Sequence, residues 1–359
     1  LVVAAGGIHG CGYPTDLPIE YKTEHLRIGI EFDEGPLCQG DLLELERQIA
    51  RTEVELEIEL KKTYRVYIWS EDTWWSAAMN NCPGDYVVGC TSYTRSTIWT
   101  TRWALEHELA HAVMGRSKLH PFFEEALANV YGGRQSHFGV TAPSANENTD
   151  RHTIDTKTGT HFVRWLRERW GTHQLARLAK SGKNGFSGFE SIYGMTLEEA
   201  EQLYFAEAPY AYASLDGCDG PELASAAIIN GWIDTVTLDC KTGVDTRSAG
   251  VGIIAHRTLE IPAPGYYSVS TDGEWFDIYR CGDSFDDPST NDSWSTEDVP
   301  PSHAGYPSPA YRHYAGGEVH DLYFNAGRHD IGVGVLGHDQ GVAHVAIWPS
   351  LAPTPRGAE

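Results

Sequence analysis

The sequence predicts an α+β protein in two parts, a mixed α/β body over residues 21–215 and an all-β, sandwich-like module over residues 216–359. Three observations carry this expectation. A chain of 359 residues exceeds one average domain and accommodates two. Its first half alternates strand-like and helix-like hydrophobic periods. After Tyr212 the composition shifts to Gly, Asp, Ser and Thr, interleaved with short alternating apolar runs. Residues 1–20 read as a leader or linker.

The first element is a strand, because Leu26, Ile28, Ile30 and Phe32 alternate with other residues before Gly35-Pro36 breaks the pattern. A helix follows: Asp41 with Glu44 three residues on forms a capping box, and Leu42, Leu45 and Ile49 continue a helical stripe towards Leu60. Val66 and Ile68 in the run TYRVYIW make a second strand. The helical period returns from Trp103 to Arg116, with Leu105, Leu109, Ala112 and Val113 on one face, and again from Pro121 to Tyr131 before Gly132-Gly133. In the second part, Tyr266–Ser270, Trp275–Tyr279 and His329–Val335 read as strands. The Asp-, Ser- and Pro-rich stretch from Asp283 to Pro309 reads as a long loop.

Composition narrows the function classes. With 50 acidic against 27 basic side chains the formal charge is -23, which repels phosphate backbones and argues against nucleic acid as a partner. No apolar run approaches the length of a membrane span, and 41% hydrophobic residues is a globular composition. Seven cysteines without paired CxxC spacing point to disulfides in an oxidising compartment. Cys82 and Cys90 flank the turn-rich Pro83-Gly84-Asp85 and are expected to pair; Cys38, Cys218, Cys240 and Cys281 cannot be matched from sequence. Cys11 ends the small, apolar run LVVAAGGIHGC, which resembles the tail of a lipoprotein export signal and makes Cys11 a candidate lipid anchor; the alternative is an ordinary terminus. Either way the expected location is extracytoplasmic, secreted or at the cell envelope.

The chemistry concentrates in Glu106-His107-Glu108-Leu109-Ala110-His111, which contains HExxH. Residues four apart on a helix project from the same face one turn apart, so His107 and His111 can share one metal ion. Glu108 lies next to His107 around the helix, where its carboxylate can take a proton from a metal-activated water without being a ligand.

HExxH followed by Phe122-Phe123-Glu124-Glu125-Ala126-Leu127-Ala128 resembles the gluzincin metallopeptidases. The resemblance makes Glu125, directly before the small residue, the third zinc ligand, with Ala126 standing where the family has glycine. Glu124 is the alternative ligand; neighbours on a helix point about 100° apart, so both seldom reach one ion. Gly159–Leu166, Arg169-Trp170-Gly171 and Phe189–Glu201 look like the helical half of peptidase MA-like domains, extending the resemblance over about residues 21–209. It implies a zincin-like domain: a small mixed sheet beside the HExxH helix, a helical subdomain closing the cleft, and a His or Tyr facing the oxyanion. His152, His161, Tyr210 and Tyr212 are the candidates, and the sequence does not choose among them. In the second part, His303, His313, His320, His329, His338 and His344 invite a second metal site, but their spacing favours solvated strand histidines.

Two functions follow. The first is zinc-dependent hydrolysis of peptide bonds in a peptide or protein substrate, with one Zn2+ held by His107, His111 and Glu125 and Glu108 as general base. The second is a catalytically inert surface protein with a structural zinc domain and a partner-binding β module. An intact HExxH favours the first, since a closed structural site has no use for Glu108.

Overall fold

The computed structural model describes residues 16–31, 35–78, 82, 88–133, 136–137, 141–215, 218, 220–226, 230–249, 252–281 and 311–350. Cys11, His303 and the expected loop from Asp283 to Pro309 lie outside them. The architecture is α+β.

In the N-terminal part, β1 (Tyr21–Lys22), β2 (Leu26–Ile30), α1 (Gln39–Leu56), β3 (Tyr64–Trp69), α2 (Glu71–Ala78), β4 (Gly89–Ser92) and β5 (Thr97–Thr101) build one five-stranded sheet and its first helices. The strand order is β1-β2-β3-β5-β4, with β2, β3 and β5 parallel and the two edge strands antiparallel. Parallel neighbours need crossover connections, and α1 supplies the one between β2 and β3. Near-continuous burial along β2 and β3 reflects cover on both faces. On one face Ile28, Val66, Ile68 and Ile98 pack with Leu45 and Ile49 of α1 and with Leu105, Leu109 and Val113; on the other, Tyr67, Trp69 and Trp99 pack with Trp74 of α2.

Two boundaries of α1 differ from the sequence reading. The helix begins at Gln39 with Cys38 as N-cap, so Asp41 is its third residue and accepts the Cys38 backbone N–H at 2.7 Å. It ends at Leu56, where Glu57 takes a left-handed conformation with φ 51°, short of Leu60. Local pattern suggested Asp41 as the cap; what displaces it is a tertiary bond, since Cys38 is disulfide-linked to Cys240.

After β5, a 3-10 turn at Arg102–Ala104 leads into α3 (Leu105–Met114), which Gly115 stops at φ 66°. Then come α4 (Pro121–Tyr131), β6 (Ser136–His137), α5 (Thr156–Lys180), α6 (Phe189–Tyr193), α7 (Leu197–Glu207) and β7 (Ala211–Tyr212). Pro121 opens α4, where a missing N–H costs nothing, and the His120 ring accepts from Phe122 N at 3.2 Å. Gly132 lets α3 and α4 approach closely, since a Cβ there would stand 2.9 Å from the His107 Cα. α5 is broken by Gly171 at φ 82°; its first half buries Phe162, Val163 and Leu166 against Phe122, Leu127 and Tyr131 of α4.

The C-terminal part is all β: β8 (Ser225–Ala226), β9 (Gly231–Asp239), β10 (Thr246–Ala249), β11 (Gly252–Ile261), β12 (Gly265–Thr271), β13 (Trp275–Arg280), β14 (Tyr311–Ala315), β15 (Val319–Phe324), β16 (Gly327–Leu336) and β17 (Gln340–Pro349). They form two antiparallel five-stranded sheets, ordered β10-β11-β16-β13-β14 and β15-β12-β17-β9-β8. Val236, Ile253, Val269, Phe276, Ile331, Val333, Val345 and Ile347 of both sheets share one core, as in a β-sandwich. The division expected at residues 215/216 falls between β7 and β8.

The two parts meet at the N-terminus of α1. Besides the Cys38–Cys240 disulfide, Gln39 N donates to Cys240 O at 2.8 Å and Arg247 of β10 pairs with Glu44 at 2.8 Å. The Ser248 hydroxyl donates to Asp41 at 2.6 Å. Cys82 is joined to Cys90, as expected, and Cys218 to Cys281. Among the described residues no helix is long and apolar enough to cross a membrane.

Candidate metal centre

The centre is assembled where α3 crosses α4. The four-residue spacing places His107 and His111 on one face of α3, their rings edge to face with centroids 4.8 Å apart. Glu125, in the second turn of α4, faces them: its Oε2 lies 3.2 Å from His107 Nε2 and 3.5 Å from His111 Nε2, and the two Nε2 atoms are 3.2 Å apart. These separations decide whether the residues suit zinc. Ligands at roughly 2.0–2.1 Å from a tetrahedral ion stand about 3.3 Å from one another, which all three observed distances match to about 0.2 Å. The donor set among the described residues, two imidazoles and one carboxylate, fits a zinc ion.

Neighbouring groups orient the donors. The Asn129 side chain donates its Nδ2 to the Thr160 hydroxyl at 2.9 Å, so its Oδ1 faces His107 Nδ1 at 2.8 Å. The imidazole therefore carries its proton on Nδ1 and turns the Nε2 lone pair inwards. The Thr160 hydroxyl donates in turn to Thr156 O at 2.6 Å, tying α3 to α4 and α5. Glu125 divides its two oxygens, Oε2 towards the histidines and Oε1 to the Arg151 guanidinium at 2.9 Å. Burial alone would push the Glu125 carboxyl up, but the His107 and His111 imidazoles beside it override burial and hold the group ionised, well below the usual carboxylate range. Glu124 turns aside to pair with Arg151 at 3.1 Å, in keeping with the angle between successive helical residues.

Glu108 is 7% exposed and points from α3 towards the edge strand β4. There the Thr91 hydroxyl lies 3.0 Å from its Oε2 and 2.9 Å from its own backbone carbonyl. Gly89 makes room for this carboxylate, since a Cβ would meet Glu108 Cγ at 2.5 Å. Tyr93, just beyond β4, has its phenol pushed up by burial and by the charges of Glu124 and Glu108, and remains a neutral donor. No protein-family model and no curated protein matches this chain.

Three of the four oxyanion candidates from the sequence pack in the helical core, and the fourth, His152, is exposed. His161 is fully buried, hydrogen-bonded through Nδ1 to the Tyr204 hydroxyl at 2.9 Å, with Tyr212 packed on its ring; Tyr210 and Tyr212 belong to the helical core. His152 is exposed, its backbone held in a turn by Asp150. The polar groups brought towards Glu108 and Glu125 are instead Thr91, Tyr93 and Arg151, which the sequence reading did not single out. Asn129 was missed too, although its position four residues after Glu125 was a usable signal. A second acid and histidine group, Glu24, His25 and Glu46, is already engaged: Glu46 accepts from His25 Nδ1 at 2.6 Å and from His25 N at 3.0 Å. Among the described residues of the β module, no histidine cluster with metal-ligand spacing occurs. His344 pairs with Asp272 and His320 reaches Ala315 O.

Proposed function

We propose that this chain is an extracytoplasmic zinc-dependent peptidase, with His107, His111 and Glu125 as metal ligands and Glu108 as general base. The observation that carries this reading is a donor triangle of tetrahedral size with a buried carboxylate beside it that is not part of the triangle. A zinc ion bound there would supply Lewis acidity to a substrate carbonyl and lower the pKa of a water. Glu108, kept in place by Thr91, accepts the proton of the attacking water and delivers it to the departing amine. Tyr93 and Arg151 offer neutral and charged donors for the oxygen of the attacked carbonyl.

β4 supports a peptide substrate in particular. It ends the sheet, so among the described residues its outer backbone edge has no strand partner, and it runs beside Glu108. An extended peptide can add to such an edge through main-chain hydrogen bonds. Three disulfides favour an oxidising compartment, and the charge of -23 keeps nucleic acid out of the partner list. A lipid anchor at Cys11 belongs to the same proposal and is read by intact-mass measurement of protein extracted from its native host.

The test is a pair of measurements on purified protein. Wild type is expected to hold about one zinc and to cleave an unstructured protein, while His107→Ala and Glu125→Ala lose the metal. Glu108→Gln keeps zinc and fold but loses activity by about a hundredfold to ten-thousandfold. A wild type that holds zinc yet cleaves nothing across a broad peptide library, or a Glu108→Gln variant of full activity, would overturn the reading in favour of an inert zinc protein or another base.

A further inference from the structure

A cavity of about 510 Å3 opens at the end of β4, in the size class of ligand pockets. Ile58, Leu60, Tyr64, Val113 and Met114 give it apolar walls. Two other lining residues connect it to the candidate centre. Ala112 stands one helical turn beyond Glu108 on α3, and Tyr93 follows β4 two residues after Thr91, which touches Glu108. A strand advances about 7 Å in two residues, so a peptide laid along β4 brings a side chain into the cavity within about three residues of a bond held at Glu108.

The rim of this cavity is basic. Lys61, Lys62 and Arg116 line it and are exposed, with Glu59 the one acidic residue in the lining. Of the cations elsewhere in this molecule of net charge -23, Arg151, Arg167, Arg169, Lys180, Arg247 and Arg257 each contact a carboxylate. Lys61, Lys62 and Arg116 have no carboxylate partner among the described residues. Screening confines long-range repulsion to about 8–10 Å, so the local excess of positive charge governs what docks there.

We infer that the cavity is a substrate subsite that takes a large apolar side chain whose neighbours carry carboxylates, making acidic peptide segments the preferred substrates. The inference rests on the peptidase reading for its substrate, and the experiment separates the two. Zinc-loaded Glu108→Gln protein, full length, is titrated with two fluorescein-labelled peptides identical except for Leu-Glu-Glu in one and Leu-Lys-Lys in the other, followed by anisotropy. Binding of the acidic peptide is expected to be tighter on the order of tenfold, with the preference shrinking as salt rises. Lys61→Glu, Lys62→Glu and Arg116→Glu together, all at exposed positions, should abolish or invert the preference, with the three Gln substitutions intermediate. Replacing the Leu by Ser should weaken binding to every rim variant alike. Equal binding of both peptides, or a preference untouched by charge reversal, would overturn the inference. Cleavage of a library by wild type is mapped in parallel: cleavage without acidic preference sinks the subsite and spares the peptidase, whereas acidic preference in binding without cleavage sinks the peptidase and spares the subsite.

Discussion

Asn129 reaches the centre by a four-residue step along α4 from Glu125, which puts both side chains on the face turned to α3. Its single contact with His107 Nδ1 fixes the tautomer that leaves Nε2 available, so Asn129→Ala should weaken zinc binding by about 10- to 100-fold while leaving the fold intact. Chelator competition measures this, and Asn129→Asp, which keeps an acceptor facing Nδ1, should restore most of the affinity. Unchanged affinity in the Ala variant would remove Asn129 from the site. His107 and His111 were legible in the sequence because helical spacing is a local property, and Glu125 was legible through the resemblance to the gluzincins that the residues after HExxH carry. Thr91, Tyr93 and Arg151 were not, because a β-hairpin and a turn bring them in from residues far along the chain, and nothing in their neighbours marks that approach. Gly89 shows the same limit, since its lack of a side chain matters only once Glu108 lies against it.

At the scale of elements, hydrophobic patterning identified β2, β3, β12, β13 and β16 with α1, α3 and α4, and the resemblance pointed to the helical segments after residue 156; strands such as β4, β5, β9, β11 and β17 went unread, while the ends of α1 were set by contacts across the molecule. Helix α1 starts where Cys38 is bonded to Cys240, and Asp41 answers both Cys38 three residues back and Ser248 of the β module, so its first turn combines a local capping bond with contacts across the molecule. Strand β16 carries a different consequence of burial. His329 is 2% exposed, its Nδ1 donates to Gly327 O at 3.0 Å, and its ring lies against Phe324. Burial pushes this imidazole down to about 4 from 6.5, outweighing the carbonyl, which favours the protonated form. Below pH 6.5 the unfolded chain takes up a proton that the folded one refuses until about pH 4. Stability is therefore full above the upper value and falls between the two, by at most about 3 kcal/mol from this group. Denaturant titrations near neutral pH and near pH 4.5 should show His329→Gln losing less stability on acidification than wild type; parallel losses would mean that His329 is not the cause.

Across the whole molecule, α1 is the member common to both parts. Its first residues are fastened to the β module by Cys38–Cys240, Asp41 and Glu44, and Gln48 farther along donates to Glu106 O at 2.6 Å, one residue before the first histidine of the centre. The Cys82–Cys90 pairing could be read from a sequence separation of 8, whereas Cys38–Cys240 spans 202 residues and exists only because the module docks on α1. Such a long loop should make the bond strongly stabilising, about 5 kcal/mol by the chain-entropy argument and within the 2–5 kcal/mol that native disulfides typically contribute when removed. Without it the parts are held by a few polar contacts, among them Arg247 with Glu44 and Ser248 with Asp41, which are weak when partly solvated. Cys38→Ser with Cys240→Ser should therefore lower the melting temperature and split one calorimetric transition into two, the β module and the α/β body melting separately. Zinc added to saturation should then raise only the transition of the body, because the three candidate ligands all lie there. A single transition that zinc shifts as a whole in the double variant would show that the noncovalent interface couples the parts without the disulfide.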